Sequence, residues 1–177
     1  MYAPALDAAA EAVATIPVVF AVNAISSLTT YNWIGLRGGI GSEPFRRFFF
    51  INVLYSYLNL GLNDFWVLLL PSPDTAQLSC MIFNCVTMMF SGLLVPFVDI
   101  PQYYRWIYYS NPMAYAWAAM LETEFGGTEC QIFVTGSGIP DLVKDFEVCI
   151  VFLSAWIIFV RLANCVLQMN LRSSQAR

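Results

Sequence analysis

Four long runs of apolar residues dominate the pattern along the chain. Each run approaches or exceeds the roughly 20 apolar residues that a helix needs to cross a membrane. A soluble core helix explains one such run at best, so the pattern predicts four transmembrane helices. The runs are 13–36, 48–70, 76–98 and 148–169, and the only charged residues inside them are Asp64 and Arg161.

The segments between the runs have a different character. Residues 101–124 are dense in Tyr and Trp, which favour the headgroup level of a membrane, and they contain an Asn111-Pro112 step. This predicts short interfacial helices that break at that step. Residues 125–147 form a polar, glycine-containing loop. The predicted fold is therefore an all-α membrane protein with about four transmembrane helices and a short interfacial or re-entrant helical segment.

Polar residues inside the runs fall on single helical faces, because residues spaced by three or four positions share a side of a helix. Two interpretations stay open, namely hydrogen bonds between helices and a polar-lined path. The polar sets are Asn23, Ser26, Ser27 and Thr30; Asn52, Ser56, Asn59 and Asn63; Asn84, Thr87 and Ser91; and Ser154, Arg161, Asn164 and Gln168.

Asp64 and Arg161 are the sharpest features, since an intramembrane charge usually faces a partner or water. The second and fourth runs, which contain Asp64 and Arg161, are expected to cross the membrane in the same direction. At 1.5 Å per residue the two charges lie about 9 and 12 Å from that end. We therefore hypothesise a salt bridge with a structural or coupling role. The alternative is that each charge reaches the interface or meets a helix outside this chain.

Composition narrows the function classes. Of the 177 residues, 59% are hydrophobic and 11% are charged, the net charge is −4, and there is no His. A solvated surface, a disordered chain, a nucleic-acid-binding surface and any His-based catalytic site are excluded. There is no CxxC pattern, so no metal site is predicted. Cys130 is a candidate for a disulfide, either with Cys149 or across a dimer.

Residues 90–125, FSGLLVPFVDIPQYYRWIYYSNPMAYAWAAMLETEF, resemble the fifth membrane helix and following loop of the G subfamily of ABC transporters, of the pleiotropic-drug-resistance type. Tyr103 and Tyr104 stand where that family usually has paired Trp. The N-terminal segment is also similar, but Thr15 stands where the family commonly has Glu. The direct matches are Trp106, Tyr108, Asn111, Pro112, Glu124 and Phe125.

The resemblance implies helices three to six of a six-helix ABC-2 type membrane domain, with residues 125–147 outside the cytoplasm. It implies a part of an ATP-driven exporter of lipophilic compounds (drugs, sterols or lipids) in the plasma membrane. No GxxxxGK[ST] loop occurs in the chain. ATP and Mg²⁺ are thus expected on a separate nucleotide-binding domain. The chain is then a fragment, binds no cofactor itself and is not an enzyme by itself.

The resemblance also implies partners and a site. The partners are membrane lipid, the nucleotide-binding domain, a second membrane domain and the lipophilic substrate. Leu93-Leu94 match a leucine plug, and Asn84, Cys85 and Met88 lie below it toward a substrate cavity; simple helix packing is the alternative for all five. Two other functions stay open: a stand-alone scaffolding or regulatory membrane protein, and an ion-coupled carrier that uses Asp64.

Overall fold

The computed structural model describes residues 4–35, 39–125 and 146–175. Within these residues the chain forms six α-helices, two short 3₁₀ turns at Phe97–Asp99 and Gln102–Tyr104, and no strand, which confirms the all-α prediction. The predicted loop over residues 125–147 falls, apart from its ends, outside the described residues. The helices are α1 Pro4–Ile34, α2 Glu43–Leu69, α3 Pro73–Met89, α4 Arg105–Ser110, α5 Pro112–Phe125 and α6 Phe146–Gln175.

Helix α1 begins at Pro4, nine residues before the first apolar run, and continues into that run without a break. Pro17 lies inside α1 without ending it. The helix ends where Gly35 takes a left-handed conformation (φ 68°) and its N–H donates to the Tyr31 carbonyl at 3.2 Å. Glycine adopts this conformation without a steric cost, so it is a common residue at a helix end.

Helix α2 begins five residues before the second apolar run. Ser42 caps it, since the Ser42 hydroxyl oxygen accepts a hydrogen bond from the Phe45 N–H at 3.4 Å. Glu43 in the first turn forms ion pairs with Arg46 and Arg47. The hydrogen bond from Arg46 lowers the pKa of the Glu43 carboxyl, so this end of α2 carries charge of both signs.

The prediction of one helix over 76–98 is wrong. Helix α3 ends at Met89, and Gly92 then adopts a left-handed conformation (φ 85°) that redirects the chain. A Cβ at Gly92 would lie 3.5 Å from the Tyr108 ring, so the turn is packed directly beneath α4. The sequence remains apolar after Met89, and hydropathy alone therefore hides the end of the helix.

Among the described residues, two helical segments are long and apolar enough to cross a membrane, Val13–Ile34 and Phe146–Leu171. Four spans are thus not confirmed. Helix α2 has 27 residues, but its Asn residues and Asp64 lower its hydropathy. Only 17% of each apolar window is buried. Outward-facing apolar helices of this kind suit lipid rather than water, as expected of a membrane protein.

The core lies around α2, which packs against α1, α3, α5 and α6. Small residues of α5 allow close approach to α2 and α6 at the centre. The fully or nearly fully buried residues here include Ile51, Leu58, Ala114, Ala119, Cys149 and Leu153. This packing determines which polar side chains of neighbouring helices can meet.

Candidate functional site

Helices α2 and α6 bring Asp64 and Arg161 together inside the bundle. Arg161 Nη1 donates to Asp64 Oδ2 at 3.1 Å, and the side chains are 21% (Arg161) and 40% (Asp64) exposed. The Arg161 guanidinium also lies 4.6 Å from the centroid of the Tyr57 ring. The salt bridge expected from their similar depth is present. A structural or coupling role for the pair stays a prediction.

Gly61 makes the close approach of α6 to α2 possible. Asn164, one turn beyond Arg161, donates from Nδ2 to the Gly61 carbonyl at 2.9 Å. A Cβ on Gly61 would lie 3.1 Å from Val160 Cγ1 and 3.6 Å from Arg161 Nε. Small residues at helix contacts in membranes allow this closeness. Gly61 is not among the residues that the sequence pattern predicts to matter, although its place one turn before Asp64 on the same face is a usable signal.

We expect Gly61→Val to lower the free energy of unfolding by about 1–3 kcal/mol, since a branched side chain overpacks the contact with Val160. Gly61→Ala should cost less, because the Val160 methyl group needs to move only slightly. Thermal unfolding in detergent, followed by tryptophan fluorescence, measures both. The control is Ala155→Val on the exposed face of α6. Equal stability of Gly61→Val and this control would contradict the role given to Gly61.

Polar residues elsewhere in the runs also link helices. Ser56 donates from its hydroxyl to Asn23 Oδ1 at 2.9 Å and joins α2 to α1. Tyr31 donates to Glu124 Oε1 at 2.8 Å and joins α1 to α5. Asn59 instead donates to the Tyr55 carbonyl of its own helix at 3.0 Å. These contacts support the interpretation of interhelical hydrogen bonding for part of the polar faces.

Asn111 and Pro112 separate α4 from α5, as the sequence predicts. Asn111 is 2% exposed and makes two hydrogen bonds in opposite directions. Its Oδ1 accepts from the Met113 N–H at 3.0 Å, while its Nδ2 donates to the Thr87 carbonyl at 2.6 Å. The first bond caps α5, where Pro112 is the first residue. The second ties that cap to the last turn of α3.

The residues assigned to a substrate cavity lie on two sides of α3. Cys85 and Met88 are exposed, while Asn84 is half-buried. Asn84 Nδ2 donates a hydrogen bond to Cys80 Sγ of the same helix at 3.4 Å, so the Asn84 amide points toward the preceding turn of α3. The structure therefore presents Cys85 and Met88 on an open apolar face and places Asn84 beside it. Their role in a cavity stays a prediction.

Leu93 and Leu94 follow the left-handed Gly92 in the bend after α3, and both side chains are exposed. The Leu93 N–H donates to the Ser91 hydroxyl oxygen at 3.4 Å, which holds the start of the bend. The pair thus lies just beyond α3, as a plug would require, and its function stays a prediction. The disulfide proposed for Cys130 lies outside the described residues.

Comparison with known families decides what kind of domain this helix arrangement belongs to. The model of the ABC-2 type transporter family matches residues 1–125, which is more than two thirds of the chain. The chain belongs to the ABC-2 type transporter family. The resemblance read from the aromatic segment is thereby confirmed.

Relatives of this ABC-2 domain are transporters of the expected type. The chain is 26% identical to the ABC multidrug transporter atrH of Aspergillus oryzae over 84% of its own length. It is 26% identical to ABC transporter G family member 53 of Oryza sativa subsp. japonica over 82%, and 24% identical to pleiotropic drug resistance protein 1 of Nicotiana tabacum over 66%. The chain spans about a tenth of the length of these curated relatives.

Membership assigns the chain to the transport part of ABC transporters, not to the part that hydrolyses ATP. The matched region contains α1 to α5, including Asp64, Asn111 and the apolar face of α3. Helix α6 lies beyond it. The salt bridge with Arg161 therefore connects the matched ABC-2 region to the final helix of the chain.

Proposed function

We propose that this ABC-2 domain is the membrane-spanning part of an ATP-driven exporter of lipophilic compounds (drugs, sterols or lipids) in the plasma membrane. The observation that carries the proposal is the outer face of α3. The exposed apolar residues on this helix are Leu78, Met81, Ile82, Val86, Met88 and Met89. No other helix of the described part covers this face, so it is available to a second membrane domain or to a lipophilic substrate.

The composition of that face suits varied apolar ligands. Three of its members are Met, whose unbranched and polarisable side chain adapts to ligands of different shape. The names of two relatives, a multidrug transporter and a pleiotropic drug resistance protein, agree with a broad substrate range. In the proposed cycle Cys85 and Met88 contact the substrate, Asn84 orients it, and Leu93-Leu94 close the outer end.

Energy for this cycle would come from a separate nucleotide-binding domain that holds ATP and Mg²⁺. This part of the proposal is supported by the lack of a phosphate-binding GxxxxGK[ST] loop in the sequence. In this proposal the chain itself binds no cofactor and catalyses no hydrolysis. Its own residues contact the lipophilic substrate, the lipid and the second membrane domain.

We expect Met88→Trp to reduce export of a fluorescent lipophilic dye by about fivefold or more, as the loss of about 1 kcal/mol of substrate contact would do. Export is measured in cells that express the longest polypeptide encoded with this chain, with and without ATP depletion. The matched control is Met169→Trp, at a similarly exposed Met on α6. Equal export by the two variants, or export that persists without ATP, would contradict the proposal.

The alternatives are separated by the size of the native polypeptide. An antibody to residues 168–177 should detect a band several times larger than 19.9 kDa if the chain is part of an exporter. A band at 19.9 kDa would favour the scaffolding or regulatory protein. Loss of proton-dependent transport in Asp64→Asn would favour the carrier. The hydrogen bond from Arg161 to Asp64 supports the structural role over the carrier.

A further inference from the structure

A cavity of mixed charge opens at the end of the bundle where α2 and α6 begin and α5 ends. Its volume is about 340 Å³, within the range of small-molecule sites. Among the described residues, its lining combines one guanidinium, two carboxylates and an aromatic ring. The lining residues are Arg47, Glu122, Phe146, Glu147 and Val148.

The cavity lies at the level where lipid headgroups are found. Phe146 is the first residue of the apolar stretch of α6, and Glu147 follows it. The Arg47 guanidinium lies 5.2 Å from the centroid of the Phe146 ring, so the first turns of α2 and α6 are at the same depth. Charged groups that border an apolar span at this depth face the headgroup region.

A separate apolar groove lies further along α6, toward the middle of the apolar stretch. The groove has a volume of about 370 Å³ and is lined by Phe152, Ala155, Trp156 and Phe159. Val148 of the cavity and three of these four groove residues fall at i, i+4, i+7 and i+11, which places them on one helical face. A molecule with a charged head and an apolar tail would meet matching surfaces in that order.

We propose that the cavity binds the headgroup of a zwitterionic phospholipid, with the phosphate on Arg47 and the ammonium on Glu147 and Glu122, and that the groove holds an acyl chain. Arg47 has five N–H donors, and its contact with Glu43 uses Nε at 3.6 Å. The planar end of the guanidinium suits a phosphate, and the side chain is 47% exposed.

Both charge signs are needed for this selectivity. A purely anionic headgroup would meet the carboxylates of Glu122 and Glu147, and a purely cationic headgroup would meet the guanidinium of Arg47. A zwitterion offers each group its opposite charge without adding net charge.

The test is lipid retention by the longest form of the chain, purified in micelles with equal amounts of three probes. Phosphatidylcholine carries both charges, phosphatidylglycerol carries only the phosphate, and O-ethylphosphatidylcholine carries only the ammonium. Retained lipid is extracted and quantified by mass spectrometry. We expect wild type to retain phosphatidylcholine in preference to both other lipids.

Two substitutions separate the two halves of the headgroup. Glu147→Gln should lower the preference for phosphatidylcholine over phosphatidylglycerol by about two- to fivefold, and Arg47→Gln should lower the preference over O-ethylphosphatidylcholine similarly, the effect of one partly exposed ion pair. Asp99→Asn, at an exposed carboxylate away from the cavity, should change neither ratio. Melting curves confirm that each variant is folded.

The groove has a test of its own. Ala155→Trp fills it and should lower retention of all three lipids without changing their ratios. No preference for phosphatidylcholine in wild type, or unchanged ratios in both charge variants, would overturn the headgroup site. Unchanged total retention in Ala155→Trp would overturn the acyl-chain groove.

Discussion

Asp64→Arg and Arg161→Asp are each expected to lower the free energy of unfolding by about 2 kcal/mol, and the double swap is expected to recover most of that loss. Removing one member of a buried ion pair typically costs about 3–5 kcal/mol. We expect a smaller loss than this range because the Asp64 side chain is 40% exposed. In each single variant two like charges would face each other across the contact of α2 with α6.

The swap is measured by folding yield in membranes and by thermal unfolding in detergent. The double variant keeps a guanidinium and a carboxylate in contact and only exchanges their helices. The matched control is Glu43→Arg with Arg46→Glu, an exchange of an exposed pair that should change stability little. A double swap no more stable than the worse single variant would show that the Asp64–Arg161 contact does not stabilise the fold.

Asn111→Ala is expected to lower the free energy of unfolding by about 2–3 kcal/mol, from the loss of a helix cap and of a buried hydrogen bond. The cap is the bond from the Met113 N–H, and the second bond reaches the Thr87 carbonyl. The carbonyls of the last turn of a helix lack partners within the helix, so Thr87 depends on a donor from elsewhere. The α3–α5 contact should loosen together with the cap.

Asn111→Ser separates the two contributions. A Ser hydroxyl caps α5 but is too short to reach Thr87, so we expect it to recover about 1 kcal/mol relative to Asn111→Ala. Gln102→Ala, at an exposed amide in the preceding turn, is the control and should be near wild type. Thermal unfolding in detergent measures all three variants. Equal stability of the Ser and Ala variants would contradict the capping role.

Much of the helix content followed from periodicity and length. Apolar runs predicted α1, α2 and α6 because each is continuous over many turns, and the Asn111-Pro112 step predicted the break before α5 because Pro starts helices well but does not continue them. The Asp64–Arg161 pair was predictable because the rise per residue converts chain position into depth. Family membership was predictable because the aromatic segment carries several matching residues.

The end of α3 was not predictable from hydropathy. Residues 90–98 are as apolar as the helix before them, and the turn at Gly92 depends on packing against Tyr108. Gly61 was missed for a related reason. A glycine gives no hydropathy signal, and its importance appears only when Val160 and Arg161 of α6 are found against it.

Local pattern along the chain was thus enough to indicate a helical membrane protein, the main helices and the ABC-2 resemblance, since these depend on neighbours a few positions apart. The Asp64–Arg161 ion pair joins residues 97 positions apart, and the sequence supported it only as a hypothesis from their similar depth. Contacts between distant segments needed the folded chain. Three features each bring together residues that are distant in the sequence. They are the hydrogen bond from Asn111 to Thr87, the close contact of α2 with α6 at Gly61, and the cavity lined by Arg47, Glu122 and Glu147. Their formation depends on the rotation and spacing of packed helices, which one-dimensional spacing does not specify.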